Sequence, residues 1–334
     1  MVEHTRKIKN TLHSKTVKAV AAAAPTSGKR KFVIGIVSVP LTPTKKYFKV
    51  CGDSYIASSH ISWLKSQGIE TIVIPYDTKD LEKYFNKVHG LYLPSGGAFA
   101  GTQMEYYRAC KKLMIMAMKE NDRGNYFPVW GCCMGFQQML IIADGKDDVD
   151  HFLQKFDSYN NLLCAIKLTE EGKHSKIMNG IDDDTHKRIT TMKCTLNNHM
   201  LGVTPEKFKK NVMVSDFYKI VGTSSDRKGR EFVAIIEGHH YPFYGVQWHP
   251  ERNSEMNALV RFFGNEVKKN KKPRYTINQV KKMQTMKSKK VDCFNYSNSL
   301  YKKCTFFWHK RTSEHNKKLC SAAQLAGDGS GGGV

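Results

Sequence analysis

The 334-residue chain lacks any run of 18 consecutive apolar residues, which excludes a transmembrane helix of ordinary length. It has no Cys-x-x-Cys pair, which speaks against a zinc ribbon. Its nine cysteines are odd in number and too sparse for a disulfide scaffold. The spacing of Cys293 and Cys304 would suit one bridge in an oxidising compartment, and two buried thiols read equally well. Internal repeats are absent. Acidic residues are scarce, with 30 Asp and Glu against 53 Lys and Arg, for a formal net charge of +23. With 40% hydrophobic residues the chain can bury a sizeable core, and disorder throughout is excluded.

The charge is unevenly placed. Residues 1–31 carry a net +7, residues 266–334 a net +12, and residues 32–265 only +4. An excess of positive charge suggests a polyanionic partner such as nucleic acid or a membrane surface. Here 19 of the 23 charges lie in the ends, so the central domain is nearly balanced. The organisation expected is a basic N-terminal extension over 1–31, a domain over 32–308 with a Lys-rich linker at 268–291, and a flexible tail over 309–334. Ala19 to Ala24 form a short apolar run that falls below the ~7–15 residues of a secretory h-region. A transit peptide and a plain tail fit the N-terminal composition as well. The Lys-rich stretch Lys281 to Lys290 has no interleaved aromatics, which argues against base stacking, and no nucleic-acid partner is expected.

Strand and helix signals alternate through the first half of the domain. Phe32 to Val39 reads as a buried parallel strand. Ser54 is placed to cap a helix over 55–67 that Gly68 ends. Strands are expected next at 70–74, 89–93 and 127–130. Helices are expected at 80–85, 102–119 and 136–143. Short strand-like runs at 162–168, 232–236 and 244–248 precede a helix over 255–267, and Phe306 to Trp308 reads as an edge strand. This pattern predicts an α/β fold of three layers, α/β/α, with a mostly parallel central sheet.

Three motifs carry chemistry. In Val129-Trp130-Gly131-Cys132-Cys133-Met134-Gly135, Cys133 stands between a strand and a helix with Gly two residues to either side. That is the pattern of a nucleophile elbow, whose strained turn needs small neighbours. Two core cysteines beside a tight turn would read the same way. In Gln247-Trp248-His249-Pro250-Glu251, a His follows a strand and a Glu follows it by two positions. A thiol nucleophile needs an imidazole, and the imidazole needs a group to orient it, so His249 and Glu251 can fill those roles. In Pro94-Ser95-Gly96-Gly97, a glycine after a strand can turn an N–H toward a pocket. The N–H groups of Gly97 (or Gly96) and Met134 are the candidate oxyanion donors.

The order of these segments resembles the class I glutamine amidotransferase-like superfamily and, within it, the γ-glutamyl hydrolases. Ile34-Gly35-Ile36, Tyr55-Ile56-Ala57-Ser58-Ser59, Tyr126-Phe127-Pro128 and Asn198-His199 add to the likeness, which covers roughly residues 32–308. The resemblance implies a cysteine peptidase that cleaves γ-linked glutamate, with folylpoly-γ-glutamate as substrate. It implies Cys133 as nucleophile, His249 as catalytic histidine, Glu251 as third member and His199 as a further histidine at the substrate. No cofactor and no metal are implied. A homodimer and a lysosomal, vacuolar or extracellular location are further expectations of the same kind. Two residues depart from the pattern: Cys132 stands where Thr is more usual, and Gln137 where Glu is. A glutaminase, a hydrolase of another small γ-glutamyl amide, and a binding protein acting through its basic tails are the competing readings.

Overall fold

The computed structural model describes residues 32–40, 54–97, 104–146, 149–272, 287–292 and 303–308. The N-terminal extension, the C-terminal tail and Cys293 lie outside the described residues. Among the described residues no helix is long and apolar enough to cross a membrane.

The strands, in chain order, are β1 (Val33–Val37), β2 (Val39–Pro40), β3 (Ser54–Ala57), β4 (Glu70–Ile74), β5 (Gly90–Leu93), β6 (Val129–Cys132), β7 (Gln154–Cys164), β8 (Lys167–Leu168), β9 (Thr195–Gly202), β10 (Tyr218–Ser225), β11 (Glu231–Gly238), β12 (Phe243–Val246), β13 (Lys287–Asp292) and β14 (Lys303–Trp308). The helices of the first half are α1 (Ser58–Lys65), α2 (Leu81–Phe85), α3 (Met104–Asp122) and α4 (Met134–Asp144). An eight-stranded sheet runs β4-β1-β5-β6-β12-β11-β10-β8. Its first five strands are parallel, and β11, β10 and β8 extend it antiparallel.

Both faces of the parallel half are covered, which is why β1 is an unbroken apolar run with all five residues buried. Successive side chains along a strand point to opposite faces. Val33, Val37, Leu93 and Val129 accordingly pack in one core with Leu113 of α3 and Phe136 of α4. Ile34, Ile36, Tyr92 and Trp130 pack in the other with Trp63 of α1 and Leu259 and Phe263 of the helix Asn257–Lys268. The three-layer α/β expectation with a mostly parallel sheet therefore holds.

Four local expectations do not. Ser54 does not cap a helix: Ser54–Ala57 is strand β3, and α1 starts at Ser58 after an Ala57 cap that makes no side-chain bond. The strand wins because β3 has partners on both sides, β2 and β14, which local spacing cannot reveal. The run at 162–168 is two strands. β7 pairs with β9 in a separate ribbon, while β8 edges the main sheet. The end of the stretch read as a Lys-rich linker forms β13, paired antiparallel to β14. Phe306 to Trp308 is therefore no edge strand, since β14 has β13 on one side and β3 on the other.

The joint between β6 and α4 is tightly packed, backbone against backbone. A Cβ at Gly135 would lie 2.0 Å from the Leu93 carbonyl oxygen, and one at Gly131 would lie 2.9 Å from the Gly135 backbone. Backbone cannot move aside as a flexible side chain can, so Gly135→Ala should destabilise the protein by about 3 kcal/mol or more. Gly97 has nothing within 4 Å of its virtual Cβ, so Gly97→Ala should leave stability unchanged to within ~0.5 kcal/mol. Urea unfolding of the two variants beside the wild type measures both.

Candidate active site

Strands β6 and β12 are parallel neighbours, with Cys132 opposite Val246. The segments beyond their carboxyl ends therefore lie side by side: Cys133 after β6, and Gln247 to Glu251 after β12. Open α/β sheets build their sites at this edge. Cys133 has φ 49° and ψ −103°, outside the regions where non-glycine residues rest. Such a conformation costs about 1–3 kcal/mol and persists only where the surroundings impose it. Here the Cys133 N–H donates to the Val246 carbonyl at 2.8 Å, and its carbonyl accepts from the Gln137 N–H at 3.0 Å. Met134 is the first residue of α4, so its N–H has no intrahelical acceptor.

His249 is buried, with Nδ1 3.0 Å from the Glu251 carboxylate, and it is coupled electrostatically to Cys133. Burial alone would lower its pKa. The Cys133 and Glu251 side chains outweigh burial and raise it to about 10. Glu251 sits on a short 3-10 turn, Pro250–Arg252, with its side chain fully buried. Burial would raise the carboxyl, but the His60 and His249 imidazoles hold it at about 2. The main chain is pinned as well, since the His249 N–H donates to the Leu196 carbonyl of β9 at 2.9 Å.

Two supports for Glu251 were not foreseen from the sequence. His60, on α1, places Nε2 3.7 Å from the Glu251 carboxylate. Its ring is held by the Tyr92 hydroxyl at 2.8 Å and the Ser95 hydroxyl at 2.6 Å. Burial lowers the His60 pKa to about 4, despite the carboxylate beside it. Cys132 directs its thiol to the other Glu251 oxygen at 3.3 Å and to the Trp248 carbonyl at 3.3 Å. Burial and the neighbouring carboxylate push that thiol well above its ordinary pKa. His60, Cys132 and Glu251 form the one group among the described residues whose donor atoms could hold a metal ion, all within 4.8 Å of one another.

The remaining expected residues flank this centre. His199 lies on β9, buried against Phe232 with ring centroids 4.8 Å apart. The Leu201 carbonyl, 2.9 Å from Nδ1, can only accept, so Nδ1 carries the proton. Burial lowers the His199 pKa to about 3, with the nearby His249 charge adding to the effect. Gln137 donates to the same Leu201 carbonyl at 2.7 Å, a bond that an ionised Glu in its place could not make. Gly96 packs toward Val39 and the Met134 side chain, while Gly97 faces open space. No residue pattern pointed to His60, because a lone His on a short helix carries no spacing signal. Tyr92 and Ser95 belong to the segment read only for its glycines.

The raised His249 pKa depends on its partners, which gives a direct check. In metal-free Cys133→Ala protein the burial effect meets less opposition, so the His249 imidazole pKa should fall. Ring-proton NMR across pH 5–10, with His249→Gln to assign the signal, reads the shift. A pKa that stays put would show that Cys133 and His249 are not coupled.

Residues 50–269 match the glutamine amidotransferase class-I family. Gamma-glutamyl hydrolase B of Dictyostelium discoideum is 28% identical over 256 residues, covering 71% of this chain and 72% of that protein. Gamma-glutamyl hydrolase of Mus musculus is 31% identical over 203 residues, covering 60% of this chain and 62% of that protein. That of Homo sapiens is 28% identical over 260 residues, covering 72% of this chain and 79% of that protein. With the elbow, the parallel sheet and the matched span together, this chain belongs to the class-I glutamine amidotransferase family.

Proposed function

We propose that the protein is a cysteine-dependent hydrolase of γ-glutamyl amide bonds, with folylpoly-γ-glutamates as its substrate class. The observation that carries this reading is Cys133 at φ 49° on the elbow, coupled electrostatically to a His249 that Glu251 holds at 3.0 Å. The names of the relatives support the choice of a γ-glutamyl bond. The chemistry rests on the geometry. Cys133 sulfur adds to the amide carbonyl carbon, and the C=O electrons move to oxygen. The N–H groups of Met134 and of Gly97 or Gly96 receive that oxyanion, each such donor contributing roughly 3–4 kcal/mol. His249 gives its proton to the departing glutamate nitrogen as the C–N bond breaks. It then takes a proton from water, which attacks the thioester and releases the sulfur. Glu251 keeps the imidazole oriented and favours its charged form through both steps. His199, neutral beside His249, is the candidate contact for substrate.

Physical grounds weigh against Cys132 as nucleophile. Its side chain faces Glu251, and both burial and that carboxylate disfavour its thiolate. Cys133→Ala should therefore lower kcat by at least ~10³-fold, as loss of a nucleophile does. His249→Ala should cost ~10²–10⁴-fold. Cys132→Ser, which keeps a donor for Glu251, should stay within about tenfold of wild type. Turnover is measured on purified full-length protein with a folate pentaglutamate, scoring free glutamate and shortened chains. Release of ammonia from glutamine with no cleavage of the pentaglutamate would overturn the substrate class. A dead Cys132→Ser with an active Cys133→Ala would overturn the nucleophile.

A further inference from the structure

The Glu251 carboxylate is met from behind by donors that oxyanion chemistry does not use. His60 Nε2, Cys132 Sγ and the Glu251 oxygens come from three separate elements, α1, β6 and the turn after β12. Each is fully buried at the side chain or nearly so. Imidazole, thiolate and carboxylate are together a donor set that suits zinc, and a tetrahedral zinc ion holds such donors roughly 3.3–3.7 Å apart. Cys132 Sγ lies 3.3 Å from one Glu251 oxygen and His60 Nε2 lies 3.7 Å from the other, and one donor atom from each residue lies within 4.8 Å of the other two. A contraction of about 1 Å across one edge would complete a three-ligand face. Tyr92 orients the His60 ring at Nδ1, the kind of outer hydrogen bond that fixes a ligating histidine, while Nε2 would exchange its 2.6 Å bond with the Ser95 hydroxyl for the ion.

We propose that His60, Cys132 and Glu251 form a binding site for a zinc-class divalent cation, and that its occupation shuts off the neighbouring Cys133–His249 pair. Binding replaces the Cys132 thiol proton, which leaves to solvent, and needs no redox step. One thiolate and one carboxylate neutralise the +2 ion, so the loaded cluster is uncharged and tolerates burial. The effect on activity rests on the function proposed above. Glu251 can no longer both serve the metal and hold His249, so the imidazole loses its orienting group. Because the donors are enclosed, loading and release are expected to be slow.

The test separates the site from the reaction by using catalytically silent protein. Full-length Cys133→Ala is titrated with Co²⁺ under anaerobic reducing conditions, and then with Zn²⁺ as competitor. A thiolate-to-cobalt charge-transfer band that saturates at one ion per chain, and that Zn²⁺ abolishes, is the expected result. The band should be lost in Cys133→Ala/Cys132→Ser, and His60→Gln in the same background should weaken the affinity by at least ~10–100-fold. No band, or a band that survives Cys132→Ser, overturns the site. In the wild type, Zn²⁺ should inhibit with a slow onset that a chelator reverses, and Cys132→Ser should need at least ~10-fold more Zn²⁺ for half-inhibition. Metal binding without inhibition would overturn the regulatory half and leave the site standing. An inactive wild type with intact cobalt binding would sink the proposed function alone.

Discussion

One buried carboxylate organises this site. Glu251 has no solvent to satisfy it, so every lone pair must be met from within the protein. His249 meets it at 3.0 Å, Cys132 at 3.3 Å and His60 at 3.7 Å. Those three groups come from the turn after β12, from the end of β6 and from α1. The carboxylate therefore fixes the relative positions of two sheet strands and a helix on one side of the sheet. An unpaired carboxylate at that depth would be expensive, which makes the arrangement cooperative. Moving any one partner exposes the charge that the others share. The low Glu251 pKa and the high His249 pKa share one attraction, to which His60 adds for the carboxylate and Cys133 for the imidazole, and in both groups the sum overcomes burial.

The second constraint is steric. Gly131 and Gly135 bring β6, α4 and the end of β5 into backbone contact. That contact leaves Cys133 in a conformation a free chain would avoid. The strain is held by ordinary means: the Val246 carbonyl on one side and the first turn of α4 on the other. Because Val246 is also the residue opposite Cys132 in the β6–β12 pairing, sheet register sets the distance between thiol and imidazole. The same register joins the antiparallel β11 and β10 to the parallel half, so the site sits at the border between the two sheet types.

Much of this was legible in the chain. Alternation of apolar strands with amphipathic helices is a local property, and it announced the parallel sheet. The Gly-Cys-Cys-Met-Gly and His-Pro-Glu segments are contiguous, so their spacing carries their geometry. The +23 charge fell mostly outside the central domain, and the site is built from buried groups, not surface charge. The misreadings have one cause. Ser54 looked like a cap because its nearest neighbours allow one, yet β14, far along the chain, turns that segment into a strand. Leu162 to Leu168 looked continuous because nothing local says that its two ends belong to different sheets.

By itself the sequence determined which residues can react: a thiol between two glycines, an imidazole, and a carboxylate two positions beyond it. Those identities are written in adjacent positions, and no folding is needed to see them. Only the tertiary structure decided how the carboxylate is held. His60, itself held by Tyr92 and Ser95, reaches it from an element with no sequence link to the His-Pro-Glu turn, and Cys132 reaches it from the end of a neighbouring strand. Burial then set the protonation of each group, and burial is a property of the packed molecule, not of any segment read alone.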